Sequence, residues 1–237
     1  MREINITSPL VTVAMPVYND EKYVTKAIKS IFSQNYSKWE LIIVNDGSKD
    51  NTPKIIEEAI KDEPRARLVN KENGGTGSAI NAALFDSGAK GKYYTWCSSD
   101  NIYYPNFLSS LVKALEMDEK YSFAYADFNY MNQHDQIFNQ VVHRPIPRTD
   151  LVNGYDIGMA FLYTSDLQRK VGKYWHKIIE DYEFAIRAAQ HTEFLLVSEF
   201  LAAFRVHGGQ ITGSRLDEER SLAQHCRDLA KELLLKK

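Results

Sequence analysis

The feature that constrains this chain most is a repeated switch of hydrophobic period across its first half. "LVTVAMP" is a β-branched run stopped by Pro16, as in a buried strand, and "NDEKYVTKAIKSIFSQ" follows with Val24, Ala27, Ile28, Ile31 and Phe32 at helical spacing. Asn19 or Asp20 is expected to cap that helix, because a short polar side chain accepts the free N–H groups of a first turn. "WELIIVND" is a second strand-like run, and "GSKDNTPKIIEEAI" sets Pro53 at the start of a helix with Ile55, Ile56, Ala59 and Ile60 on one side. Then come "RARLVN", a helical "GGTGSAINAALFDSG" whose Ala79, Ala83 and Leu84 point inward before Gly88 ends it, and "KYYTWC" as a further strand. This alternation predicts an α/β fold with a mostly parallel, Rossmann-like sheet and helices on both faces. Ligands of such sheets bind beyond the carboxyl ends of the strands. The segments to interrogate are therefore Pro16 to Asp20, Asn45 to Ser48, Asn70 to Gly77 and Ser98 to Asn101.

The second half is less regular. "LSSLVKALEM" and "KIIEDYEFAIRAAQ" read as helices, "FAYADFNYMN" as a strand, and "FLLVSEFLAAFRVH" as paired strands. "NQVVHRPIPRTDLVNG" lacks a period and reads as an irregular connection, and "DEERSLAQHCRDLAKELLLKK" has the composition of a terminal helix. No repeat, low-complexity tract or Gly/Ser/Pro-rich linker divides the chain, so one domain is expected.

Charge narrows the function classes. The 29 basic and 31 acidic residues give a formal charge of -2 without a long single-sign block, which argues against a nucleic-acid binder. An anionic ligand must be held locally. Cys97 and Cys226 lie far apart and form no zinc-type spacing, which fits a reducing compartment. "MREINITSPL" lacks the apolar core of a secretory signal, and "FLLVSEFLAAF" is too short to span a bilayer and carries Glu199. The expected setting is cytoplasmic, with peripheral contact at the inner face of a membrane left open.

The stretch "YYTWCSSDN" ends strand character abruptly in two hydroxyls, a carboxylate and an amide. Asp100 there reads either as a turn residue or as a ligand. Taken in order, "VTVAMPVYND", "ELIIVNDGSKDNT", "NGGTGSAINAAL", "GKYYTWCSSDNIYYPNFL", "IIEDYEFAIR" and "FRVHGGQIT" resemble the family 2 nucleotide-sugar glycosyltransferases, whose fold is called GT-A. The similarity runs over roughly residues 10–210. It implies a single GT-A domain over 1–237, with a donor-binding half at about 1–101, an acceptor-side half at about 102–213 and a C-terminal helix at about 214–237.

The chemistry of such an enzyme is demanding in one respect: a nucleoside diphosphate leaves with growing negative charge. A divalent cation, Mn²⁺ or Mg²⁺, is the compact answer, and hard ions prefer carboxylate and phosphate oxygens. The family usually shows Asp-any-Asp-Asp where this chain has Ser98, Ser99, Asp100 and Asn101. By resemblance, Asp100 takes the metal-binding position and Ser98 replaces the carboxylate near the ribose, which leaves fewer charges at the site. Pro16, Val17 and Tyr18 correspond to the loop that lines the base, with Asp20 closing it. Asp46 corresponds to the acidic residue that accepts a hydrogen bond from uracil or ribose, although an isolated Asp-Gly reads as a turn.

Asn73, Gly74 and Gly75 are expected to form a turn near the donor, with Ser99 also beside it. "NGGTGSAIN" does not match a dinucleotide-binding loop: Ile80 stands where the third glycine belongs, and the motif does not follow the first strand. Relatives often carry Arg at the position of Ile80. Asp181 corresponds to the base that removes the acceptor proton, with Glu180 orienting the acceptor or the helix start. Glu183 and Arg187 have the spacing of a helical ion pair. His207 is a candidate metal ligand in a glycine-flanked loop that would order over the diphosphate. Histidines 134, 143, 176, 191 and 225 show no ligand spacing.

The resemblance thus implies inverting transfer from a nucleotide sugar, most simply a UDP-sugar, to a glycan, lipid-linked or protein-linked hydroxyl. The alternative is a nucleotide-sugar binding protein without catalysis, suggested by Ser98 and Asn101. A sugar nucleotidyltransferase would need a Gly-rich, Arg-containing loop after the first strand, and "PVYNDEKY" has none. Tyr155, Tyr174 and Trp175 either stack on a sugar or fill core, and core is the expectation.

Overall fold

Strict alternation along the first strand sends side chains to two separate cores. In the computed structural model, which describes residues 8–155, 157–175, 179–209 and 216–235, strand β1 (Val11–Val17) points Val11, Val13, Met15 and Val17 to one face and Ala14 to the other. The first face is covered by α1 (Val24–Phe32), whose Val24, Ala27, Ile28 and Ile31 are buried, by α2 (Thr52–Ile60) and by α4 (Phe107–Met117). The second is covered by α3 (Thr76–Asn81), α5 (Ser165–Val171), α6 (Glu180–Ala188) and α7 (Leu216–Ala230). Helices on both faces are what the alternating periods predict.

Strands β2 (Trp39–Asn45), β3 (Ala66–Asn70) and β4 (Tyr93–Trp96) join β1 in parallel, with Val17 opposite Asn45 and Asn45 opposite Asn70. The remaining strands are β5 (Ile102–Tyr103), β6 (Phe123–Asn132), β7 (Ile137–Val141), β8 (Phe161–Thr164) and β9 (Phe194–Val206). The sheet runs β3-β2-β1-β4-β8-β6-β9-β5, with β7 on the edge of β6. Because β1 to β4 are parallel and in register, the segments after them emerge at one edge. That edge carries the candidate site.

Three local expectations need correction. Neither Asn19 nor Asp20 caps α1 through its side chain: the Asp20 carbonyl accepts from the Tyr23 and Val24 N–H groups, while its carboxylate turns to Ser99. The paired strands expected in "FLLVSEFLAAFRVH" are one continuous strand. Its register against β6 skips Ser198, Glu199 and Leu201, and Glu199 is held in the bulge by the Asn106 amide (2.9 Å) and the Ser110 hydroxyl (2.8 Å). The irregular connection takes in the end of β7 and a short 3₁₀ turn at Arg148–Val152.

The terminal helix packs through Cys226 and Ala230; residues 214–215 and 236–237 of its expected span lie outside the described residues. Among the described residues, no helix is long and apolar enough to cross a membrane.

Candidate active site

Asp46 is the hub of the first two loops. It is buried, and its carboxylate accepts the N–H groups of Gly74 (3.0 Å) and Gly75 (2.7 Å) together with the Lys71 ammonium (2.7 Å). Its carbonyl accepts from the Asn73 amide at 2.9 Å. Gly75 adopts φ 87, a region closed to most side chains, and this conformation turns its N–H toward Asp46. Asp46, Asn73 and Gly75 are therefore brought together, with the Asp46 carboxylate facing the turn of its own chain.

Beside them, Pro16 is half-buried and Tyr18 is exposed at the loop tip, whereas the Val17 side chain lies in the core. Only the Val17 backbone reaches this edge, where its carbonyl accepts from the Asp46 N–H at 2.8 Å.

A second cluster forms where β4 ends. The Ser99 hydroxyl donates to Asp20 at 2.6 Å, and Asp100 Oδ2 lies 3.2 Å from His207 Nε2. The Ser98 N–H donates to the Tyr103 hydroxyl at 2.9 Å. Burial raises the Asp20 carboxyl to about 6; the Ser99 hydrogen bond opposes this, and the charge of nearby Asp100 adds to it.

Arg205, fully buried on β9, donates through Nε to the Asp100 carbonyl (2.7 Å) and through its own N–H to Asn101 Oδ1 (2.8 Å). Its guanidinium stacks 4.5 Å from the Tyr23 ring, which lies 4.7 Å from the His207 ring. Asp100 and His207 are thus each held from behind.

Among the described residues, no group of three or more His, Cys, Asp and Glu side chains is placed to hold a metal by itself. The Asp100 and His207 pair nevertheless fits one. Octahedral coordination at about 2.1 Å sets neighbouring donor atoms about 3 Å apart, close to the 3.2 Å seen here. Mg²⁺-like ions commonly take one or two protein donors and fill the rest with phosphate and water.

The third element is the first turn of α6. Ile179, a β-branched residue at φ 54, precedes Glu180 and Asp181 and kinks the backbone into the left-handed region just before the motif. Glu180 is buried, whereas Asp181 is ringed by protein and partly open. Burial raises the Asp181 carboxyl to about 6 against the pull of the Tyr182 N–H (2.8 Å). Glu180 is pushed well above the usual carboxylate range by burial and by the Asp181 charge beside it. Burial thus pushes both adjacent carboxyls toward their protonated forms, Glu180 more strongly than Asp181.

The "Glycosyl transferase family 2" model matches residues 12–171. The chain belongs to glycosyl transferase family 2. An "Uncharacterized glycosyltransferase" of Rickettsia prowazekii is 32% identical over 226 residues, covering 90% of this chain and 69% of that protein. Chondroitin synthase of Pasteurella multocida is 35% identical over 124 residues, 52% of this chain but only 13% of that one. Among solved structures, S. aureus TarS 1–349 in complex with UDP-GlcNAc superposes with a TM-score of 0.74 at 18% identity, over 95% of this chain and 71% of that one. A mannosyltransferase from Pyrobaculum calidifontis in complex with GDP-Man and Mn²⁺ gives 0.72 at 20%, over 93% and 64%. These structures establish the GT-A fold.

In this family 2 glycosyltransferase, several site residues escaped sequence reading. Lys71, which the sequence does not single out, pairs with Asp46, and Arg205 is wholly buried behind Asp100. Glu183 and Arg187 do pair on α6, but inside the protein, where Arg187 also donates to the carbonyls of Val171 and Lys173. Asn81 joins α3 to the segment before α6 by exchanging two 2.9 Å hydrogen bonds with the Tyr174 backbone. Tyr174 is core, as expected, whereas Trp175 is exposed. The glycine-flanked loop is described only to Gly209; Gln210 to Ser214 and His176 lie outside the described residues.

Proposed function

We propose that this glycosyltransferase moves a sugar, with inversion, from a UDP-sugar to an acceptor hydroxyl, with Asp181 as base and Mn²⁺ or Mg²⁺ held by Asp100 and His207. The observation that carries this reading is the meeting of Asp100 and His207, 107 positions apart, beside the loop after β1 that Ser99 joins through Asp20. Residues 1–101 act as the donor half and 102–213 as the acceptor side. A bound divalent ion supplies positive charge against the departing diphosphate. The Asp46 carboxylate holds the turn of Gly74 and Gly75 in place, and Tyr18 and Asn73 stand at its rim to meet the nucleoside.

Asp181 takes the proton of the acceptor hydroxyl, whose oxygen forms the new bond to the anomeric carbon. The bond from that carbon to the phosphate oxygen breaks, and its electron pair leaves with UDP. Burial and the Asp181 charge disfavour the ionised form of Glu180, which opposes a second charge in the pocket. The buried free thiols Cys97 and Cys226 support a cytoplasmic setting, with a glycan, lipid-linked or protein-linked acceptor at the inner face of a membrane.

The test is release of UDP or GDP from a panel of nucleotide sugars with Mn²⁺. Metal-dependent release that Asp181→Asn abolishes supports the reading, and no release from any donor contradicts it. The second reading, a binding protein without catalysis, draws on Asn101: it is buried, its Oδ1 is taken by the Arg205 N–H, and it supplies no second carboxylate. UDP binding without turnover would select it.

A further inference from the structure

Trp175 is 60% exposed, although the residue before it is buried in the core. A large aromatic ring left in water needs a reason, and this one is held rigidly. The Arg187 guanidinium lies 4.2 Å from the ring centre on one side. Arg187 is itself fixed by Glu183 (Nη2 to Oε2, 2.7 Å) and by the Lys173 carbonyl (2.8 Å). The two hydrogen bonds between Asn81 and Tyr174 bolt the adjoining backbone to α3.

The ring borders a cleft of about 310 Å³ that opens beside Lys71 and Gly74 of the donor turn and runs along α3 past Ser78 to Asp86 and Lys173. Its lining therefore combines one flat apolar surface with hydroxyl, carboxylate and ammonium groups. That is the chemistry of a pyranose: an apolar C–H face bounded by a rim of hydroxyls. The size lies at the small end of ligand pockets.

We infer that this cleft is a saccharide subsite in which Trp175 stacks on the apolar face of a pyranose ring. It rests on the proposed sugar transfer for the kind of ligand, but the binding itself does not need catalysis. Trp175 lies six positions before Asp181, on the segment that leads into α6.

Saturation-transfer NMR with the full chain tests it, using the methyl pyranosides of glucose, galactose, mannose and N-acetylglucosamine. At least one should show saturation of the ring protons of one face, weakened about tenfold in Trp175→Ala and largely retained in Trp175→Phe, which keeps a flat ring. No transfer to any of the four, or equal transfer in Trp175→Ala, overturns the inference. A parent chain that binds a pyranoside but releases no nucleotide from any donor leaves the subsite standing and refutes the catalytic reading alone.

Discussion

Lowering the pH should silence this enzyme well before it would silence one with an ordinary aspartate as base. Burial raises the Asp181 carboxyl to about 6, and the base must be ionised to accept a proton, so activity rises as pH rises through that value. At pH 5 only about a tenth of such a group is ionised, against nearly all of it at pH 7.5, a fall of about tenfold. An aspartate titrating at about 3.9 would lose less than about a tenth over the same range.

The assay is nucleotide release with water or acceptor as nucleophile, read as kcat/KM from pH 4.5 to 8. Asp20 is also raised to about 6, so its variant is the necessary control. Asp20→Asn should keep the acid limb near 6, because Asp181 sets it. Asp181→Asn should lose about 10²- to 10⁴-fold in rate. An acid limb near 4, or one that moves in Asp20→Asn, refutes the assignment.

Glu183→Gln leaves the Arg187 charge buried without its partner and should cost about 3–5 kcal/mol. In a chain of this size that is a fall of about 6–20 °C in Tm, read by thermal denaturation. Arg205→Lys and Tyr23→Leu remove the supports behind Asp100 and His207, and each should weaken Mn²⁺ binding about 10- to 100-fold, read by electron paramagnetic resonance with UDP present. Gly75→Ala forces a side chain into φ 87, should cost about 1–3 kcal/mol in denaturant unfolding, and should loosen the turn that Asp46 holds.

The β1-to-β4 core was legible because each element declares itself in its own hydrophobic period: Val24, Ala27, Ile28 and Ile31 announce α1 without reference to any partner. The positions of Asp46, Asp100 and Asp181 followed from the same order of elements together with the family resemblance. What could not be read are choices between local and distant partners. Asp20 looks like a cap because such residues usually satisfy a first turn, yet Ser99, 79 positions away, claims its carboxylate. "FLLVSEFLAAFRVH" reads as paired strands, yet it is one strand with a bulge where Asn106 and Ser110 hold Glu199. Arg205 is polar by composition, and its burial depends on a carbonyl at 100 and a ring at 23 that periodicity does not bring together. Trp175 and Tyr174 are adjacent aromatics with opposite fates, decided by hydrogen bonds to Asn81 on another helix.

The most direct measurement is a calorimetric titration of UDP into the parent chain and into Asp100→Ala, each with and without Mn²⁺. A cation shared between the residue 100 carboxylate and the diphosphate predicts tighter UDP binding with Mn²⁺ in the parent and no such gain in the variant. Equal affinity with and without Mn²⁺ in the parent, or an undiminished gain in Asp100→Ala, would contradict it.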